Sequence, residues 1–260
     1  MVKIEQQGPL LRVTLARPEV RNALNDEVMR LIASALDRAE SDASIRAVVV
    51  TGEGKAFSAG ADLEFMRKIA LGGREANEAD AREMGGLFHR ISELPKPVVA
   101  RVNGPAVGGG VGLMAACDVV VASSEAFFQF SEVRLGLVPA VISPFCVRRM
   151  GAAIARRLFL TGERFDATNA ARFGLVDFVV APSDLDKIVA DVCDQLLQGG
   201  PLALEEAKKL VDSVSNLPPR DVLSYTAMCI ARLRATEEAQ EGMKAFLEKR
   251  PATWVRRREE

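Results

Sequence analysis

Two junctions restrict most severely what this chain can fold into. In each, a β-branched run gives way to very small side chains and then to a helical pattern. The first is Lys55-Ala56-Phe57-Ser58-Ala59-Gly60-Ala61-Asp62-Leu63, behind Ala47-Val48-Val49-Val50-Thr51. The second is Gly108-Gly109-Gly110-Val111-Gly112, behind Val98-Val99-Ala100-Arg101-Val102. Short β-branched runs of this kind read as buried strands. Small residues after them let a ligand approach the main chain, and the unpaired N–H groups of a helix start favour incoming negative charge. Two such N–H sources in one domain suggest an oxyanion hole, whose donors are commonly worth ~2.7–4 kcal/mol each. A thioester whose carbonyl becomes an enolate would suit it.

The remaining pattern alternates strands with helices, which implies an α/β layer architecture. Leu11, Val13 and Leu15 alternate with Arg12 and Thr14 behind a Gly8-Pro9 turn, predicting a hairpin with residues 2–6. Asn25 reads as an N-cap for a helix to residue 41 that carries Val28, Leu31, Ile32, Ala35, Leu36 and Ala39 on one face. A second helix starts near Asp62, and a polar, Gly- and Ala-rich stretch follows at 70–86. Further strands are expected at 118–122, 127–130 and 176–180, with helices near 151–160, 166–173 and 183–198. From Gly199-Gly200-Pro201 onward only helices are expected, the last a long one over 221–249 after Pro218-Pro219. Its apolar residues, among them Leu223, Ile230, Met243 and Phe246, must meet either the core or another subunit.

Composition narrows the chemistry. Lys plus Arg number 34 and Asp plus Glu 35 in 260 residues, so no global charge steers the chain to nucleic acid or membrane. No apolar stretch reaches the ~18–20 residues of a membrane span, and the start has no signal-like run. The four cysteines form no C-x-x-C pair, which fits reduced thiols in a cytoplasmic setting and argues against structural zinc. The single histidine, His89, excludes a multi-histidine metal site, so no metal is expected. His89 itself reads as a helix-surface or packed residue. Arg256-Arg257-Arg258 reads as a solvated terminus.

Individual residues carry competing readings. Asp62 has an obvious role as the N-cap of its helix. The glycine run offers a loose dinucleotide fingerprint in Gly110, Gly112 and Ala115, but the next strand begins too soon for a βαβ unit. Glu132 lies in Phe130-Ser131-Glu132-Val133-Arg134, between an aromatic strand and an apolar loop. A carboxylate held there can have a raised pKa and act as acid or base, although a Glu at a strand end is more often solvated.

These segments, in this order, resemble the enoyl-CoA hydratase/isomerase (crotonase) family over the whole chain. The resemblance extends from Ala16-Arg17-Pro18 and Arg21-Asn22-Ala23-Leu24 to Glu241-Gly242-Met243-Lys244-Ala245-Phe246-Leu247-Glu248-Lys249-Arg250. It implies a spiral of ββα units followed by a helical trimerisation region, with a core over 1–198 and an oligomerisation region over 199–260. The expected assembly is a homotrimer or a dimer of trimers. The resemblance assigns the oxyanion N–H groups to Ala61 and Gly109 and the proton-moving carboxylate to Glu132. It places Ala59, Gly60, Ala61, Asp62 and Leu63 along the pantetheine arm, Arg21 and Ala23 near the adenosine diphosphate, and Phe246 and Lys249 at the CoA of a neighbouring subunit. CoA would enter with the acyl thioester substrate, and no separate cofactor is expected.

One position departs from that pattern. Two-glutamate hydratases carry their second Glu where this chain has Gly112. Two carboxylates around one water suit hydration, because one orients the water while the other passes its proton. Glu75, Glu78, Asp80 and Glu83 are acids elsewhere in the chain, but nothing in the sequence places them in a site. Gly110-Val111-Gly112-Leu113 and the segment from Glu132 to Pro144 resemble the bacterial methylglutaconyl-CoA hydratase branch. That implies hydration, or the reverse dehydration, of a short branched enoyl-CoA such as 3-methylglutaconyl-CoA, with Gly112 making room for its second carboxylate. The alternative is an enoyl-CoA isomerase, for which Glu132 alone would suffice as proton shuttle. A non-catalytic RNA-binding role is disfavoured by the balanced charge.

Overall fold

The computed structural model describes residues 1–255. The chain opens with an antiparallel hairpin of β1 (Val2–Gln7) and β2 (Leu10–Leu15), in which Leu11, Val13 and Leu15 turn inward. Helix α1 (Asp26–Ser41) follows. Asn25 caps it by accepting from the Val28 N–H at 3.0 Å, and Asp26 and Glu27 complement the positive end of the helix dipole. The chain continues through β3 (Ala47–Gly52), α2 (Leu63–Ala70), α3 (Gly73–Glu93), β4 (Val98–Val102), β5 (Ala106–Val107) and α4 (Gly109–Ala115). Next come β6 (Val119–Ser123), β7 (Phe127–Gln129), α5 (Ser143–Thr161), β8 (Arg164–Asp166), α6 (Ala167–Arg172), β9 (Phe178–Val180) and α7 (Leu185–Gln198). Three more helices close the described chain: α8 (Pro201–Asn216), α9 (Pro219–Arg234) and α10 (Glu237–Leu247).

One sheet has the order β1-β2-β3-β4-β6-β9, parallel from β2 onward. Each new strand therefore joins the same growing edge. A smaller sheet, β5-β7-β8, lies beside it, and Ser58 extends it by an isolated parallel bridge to Ala106. Each turn of chain thus lays one strand in the large sheet and one short strand in the small sheet, then leaves through a helix. β4-β5-α4 and β6-β7-α5 are two such turns, and β3, Ser58 and α2 make a third with a one-residue second strand. This is the spiral of ββα units. The β-branched runs of β3 and β4 are covered on both faces and are almost wholly buried, as expected of parallel strands.

The structure changes several sequence expectations. The stretch 70–86 is mostly helix, since α3 runs from Gly73 to Glu93 with Met84, Leu87, Phe88 and Ile91 buried on one stripe. The helix expected near 151–160 begins earlier, at Ser143, and turns at Gly151, whose φ of 74° breaks it into two segments. The single helix expected over 221–249 is two, α9 and α10. Thr236 starts the second by accepting from the Ala239 N–H at 3.2 Å, so a capping hydroxyl outweighed the continuous apolar periodicity. His89 lies on the surface of α3, 3.1 Å from Glu93. The Arg256-Arg257-Arg258 run lies outside the described residues.

The C-terminal helices are tied to the core by polar anchors. The buried Arg46 guanidinium donates to the Gly199 and Trp254 carbonyls at 2.7 and 3.0 Å, and Lys208 reaches Asp118 at 2.8 Å. Leu223, Phe246 and Leu247 nevertheless stay 78–83% exposed in the single chain. Among the described residues no helix is long and apolar enough to cross a membrane.

Candidate active site

The candidate oxyanion site is built by a strand bridge and a glycine. Leu24 pairs with the 58–62 loop, donating to the Gly60 carbonyl and accepting from the Asp62 N–H, both at 2.8 Å. In such a bridge the intervening residue turns its own peptide groups the other way, so the Ala61 N–H faces away from Leu24. Gly60, at a φ of +86°, makes the turn that presents it, and a Cβ there would fall 2.5 Å from the Val107 carbonyl oxygen. Gly109 is the first residue of α4 and follows Gly108, whose φ of 51° and ψ of −120° are open to glycine alone. A Cβ built on Gly109 would lie 3.5 Å from Ala61 N, so the two segments meet with no side chain between them. Neither the Ala61 nor the Gly109 N–H has a hydrogen-bond partner among the described residues. Two free donors on neighbouring segments beside a helix start are an arrangement that can receive an anion.

Glu132 stands next to this pair. It opens a 3-10 turn, Glu132–Leu135, behind β7. A Cβ on Gly108 would come 3.1 Å from Glu132 Oε1, so the absence of one there leaves space for the carboxylate. Its Oε2 is buried with no hydrogen-bond partner among the described residues. Burial pushes the carboxyl above its ordinary value, offset only by its own backbone N–H. A carboxyl raised in this way is suited to giving or taking a proton in the site. Ala61, Gly109 and Glu132 line one pocket of about 160 Å³ whose other walls are largely apolar, with Phe65 and Met66 from α2, Met84 from α3, and Leu137, Val141 and Ile142 from the loop before α5. A cleft of about 600 Å³ lies elsewhere, between α3, α5 and α8, and contains neither the N–H pair nor Glu132.

Gly112 lies in α4, is buried, and does not line this pocket. A Cβ there would fall 2.1 Å from Ile142 Cγ2 and 3.1 Å from the Phe88 ring. Two apolar side chains, rather than open space, therefore adjoin Gly112. The acid that does reach the pocket is Asp80 of α3. Glu75, Glu78 and Glu83 do not line it, and Glu78 instead pairs with Arg74 on the helix surface at 2.9 Å. A sequence signal for Asp80 existed but required α3 to be known, because it lies four residues before Met84 on the helix's apolar stripe.

The other expected residues divide by location. Asp62 caps α2, accepting from the Glu64 and Phe65 N–H groups, and pairs with Arg17 at 3.1 Å. Ala59 donates to the Arg21 carbonyl at 2.8 Å, and Leu63 is 65% exposed beside it, so residues 59–63 and Arg21 with Ala23 form one continuous rim. That rim is held by Asn22, which the sequence reading passed over. Buried and at a φ of 57°, it donates to the Glu53 and Ala56 carbonyls at 3.0 and 2.9 Å. Phe246 and Lys249, at the end of α10, do not line the pocket of their own chain.

Comparison with known proteins follows the same architecture. The family model for enoyl-CoA hydratase/isomerase matches residues 5–257. A 2,3-dehydroadipyl-CoA hydratase of Escherichia coli is 36% identical over 249 residues, 95% of each chain. A short-chain-enoyl-CoA hydratase of Clostridium acetobutylicum is 33% identical, covering 96% of this chain and 95% of its own. The crystal structure of an enoyl-CoA hydratase from Shewanella pealeana superposes with a TM-score of 0.94 at 37% identity, over 97% of this chain and 95% of that one. With the spiral, the paired N–H groups and the buried glutamate already in place, these matches show that the chain belongs to the enoyl-CoA hydratase/isomerase (crotonase) family.

Proposed function

We propose that this protein adds water to the double bond of a short enoyl-CoA thioester, or removes it in reverse, with Glu132 moving the proton. The observation that carries the reading is the unpartnered Glu132 carboxylate beside the free Ala61 and Gly109 N–H groups in one apolar pocket. When the water oxygen bonds to C3, the C2–C3 π electrons move toward the carbonyl, whose oxygen gains negative charge against the two N–H donors. A proton delivered to C2 completes the addition. The names of the Clostridium and Escherichia relatives support the reaction class, and the Clostridium name supports a short acyl chain; the dehydroadipyl group of the Escherichia name instead carries a distal carboxylate.

The acyl group follows from the lining. The pocket is small and mostly apolar, with no Lys, Arg or His among its described lining residues. It suits a short, uncharged chain. The branched substrate 3-methylglutaconyl-CoA is the competing choice: its methyl branch fits apolar walls, but its distal carboxylate would face Glu132 and Asp80 without a cation. An enoyl-CoA isomerase is the second reading, favoured by the apolar filling at Gly112, since shuttling one proton between carbons requires only one carboxylate. The exposed apolar residues of α9 and α10 support a homotrimer or a dimer of trimers, in which Phe246 and Lys249 would reach a neighbour's CoA.

Turnover of crotonyl-CoA beside 3-methylglutaconyl-CoA, followed by loss of enoyl-thioester absorbance in ¹⁸O-water, tests this. Hydration with solvent oxygen in the product, preference for crotonyl-CoA, and a fall of about 10³-fold or more in Glu132→Gln are expected. Double-bond migration without ¹⁸O uptake would replace hydratase by isomerase.

A further inference from the structure

Asp80 lines the same pocket as Glu132, and nothing in the chemistry above uses it. Helix α3 buries Met84, Leu87, Phe88 and Ile91 on one stripe, and Asp80 precedes Met84 and Phe88 by one and two turns. An acid therefore occupies the first place on an apolar face. A side chain kept there for packing alone would be apolar, and one kept for an ion pair would have a cation. Asp80 is partly buried on the pocket wall, where burial and the negative charges of Glu83 and Asp26 raise its pKa and no cation opposes them. Farther along α3, Phe88 joins Ile142 in closing the position at Gly112 to any side chain.

We propose that Asp80 is a second catalytic carboxylate, which with Glu132 holds the reacting water and supplies from α3 the acid that is absent at Gly112. The proposal rests on the hydratase reading. In the forward direction the ionised member of the pair takes one proton from the water as its oxygen bonds to C3. The π pair moves to the thioester as an enolate, and the protonated member gives its proton to C2 as that enolate collapses. One water is added and no net proton is consumed. The two carboxyl groups have exchanged states, and proton exchange with solvent restores the start.

The test separates water handling from proton abstraction. Wild type, Asp80→Asn, Asp80→Glu and Glu132→Gln are assayed for crotonyl-CoA hydration. The same four are assayed for deuterium exchange at C2 of butyryl-CoA in D2O, a reaction that needs one base and the N–H pair but no added water. Asp80→Asn should lower the hydration kcat by roughly 10²-fold or more with KM nearly unchanged, while C2 exchange stays near wild type. Asp80→Glu should recover part of the hydration, and Glu132→Gln should lose both reactions. Near-wild-type hydration in Asp80→Asn overturns the proposal and leaves the hydratase reading standing. Equal loss of hydration and exchange in Asp80→Asn also overturns it, making Asp80 a support for Glu132. A wild-type protein that exchanges C2 hydrogen but hydrates no enoyl-CoA removes the hydratase reading, and the second-acid role with it.

Discussion

The wall of the pocket that holds Ala61 and Gly109 is made of main chain, whereas the wall on α3 is made of side chains. The first is fixed by backbone that tolerates no substituent: Gly60 is pinned against the Val107 carbonyl, and Gly108 takes a conformation open to glycine alone. The second depends on how α3 docks, through Met84, Leu87, Phe88 and Ile91, and on which side chain follows that stripe to its end at Asp80. Main-chain donors treat every thioester carbonyl alike, so the first wall suits the step that all family members share. Side chains differ in size and charge at little cost to the fold, so the second wall is where substrate and acid placement can vary. Gly112 makes the contrast sharper. It shares α4 with Gly109, yet side chains from outside that helix, Ile142 and Phe88, close its position.

The largest effect should come from disturbing the main-chain wall. In Gly60→Ala the new Cβ would lie 2.5 Å from the Val107 oxygen and 3.0 Å from Gly109 N, at a φ of +86°. The loop must move, and the Ala61 N–H moves with it. Loss of one donor is expected to lower kcat by roughly 10²–10³-fold, measured on crotonyl-CoA. The strained residue should also destabilise the fold by about 1–3 kcal/mol in urea unfolding. Full activity in this variant would break the contrast, because the backbone would then be as tolerant as the side chains.

A smaller effect is expected at Gly112. Gly112→Glu sets a Cβ 2.1 Å from Ile142 Cγ2, and overpacking of this sort costs about 1–3 kcal/mol. No gain in hydration should accompany it, since the carboxylate has no space to enter. Adding Ile142→Ala should recover part of the unfolding midpoint, which a clash elsewhere would not allow. If Gly112→Glu alone were stable and faster on crotonyl-CoA, α4 would still accept an acid, and Asp80 would lose its reason.

How much of this was legible in the sequence follows the same division. The N–H pair could be anticipated because small residues between a strand and a helix have few other uses, and Asn25 and Asp62 announced their helices by capping chemistry. Glu132 was a weak signal alone and strengthened only beside the glycine run. The signal for Asp80 could be read only once α3 was known, because the stretch around it is polar and rich in Gly and Ala. The apolar stripe that identifies its face belongs to residues 84–91, which pack against the rest of the fold. The filling at Gly112 was equally hidden: Ile142 arrives from a loop thirty positions away, and no local pattern gives that contact. The break at Thr236 shows the reverse case, a local capping signal that was present and outvoted by periodicity.

The smallest expected effect compares the two acids by stability rather than by rate. Burial raises the Glu132 pKa above its ordinary 4.5 in the folded protein, and the unfolded chain restores that ordinary value. Below pH 4.5 both states are protonated, and the contribution to stability is complete. As pH rises through the raised folded value, the unfolded state has already ionised while the folded state resists, so stability is lost. Glu132→Gln cannot ionise and should escape that loss. Its stability relative to wild type should therefore climb between pH 4 and neutral pH, read from urea midpoints across the range. Asp80 is raised from its ordinary 3.8 for the same first cause, with Glu83 and Asp26 adding to it. Asp80→Asn should then show the same sign from a lower starting pH. A flat difference for Glu132→Gln beside a climbing one for Asp80→Asn would mean that solvent reaches the main-chain wall and that α3 holds the drier acid, which reverses the contrast between the two walls.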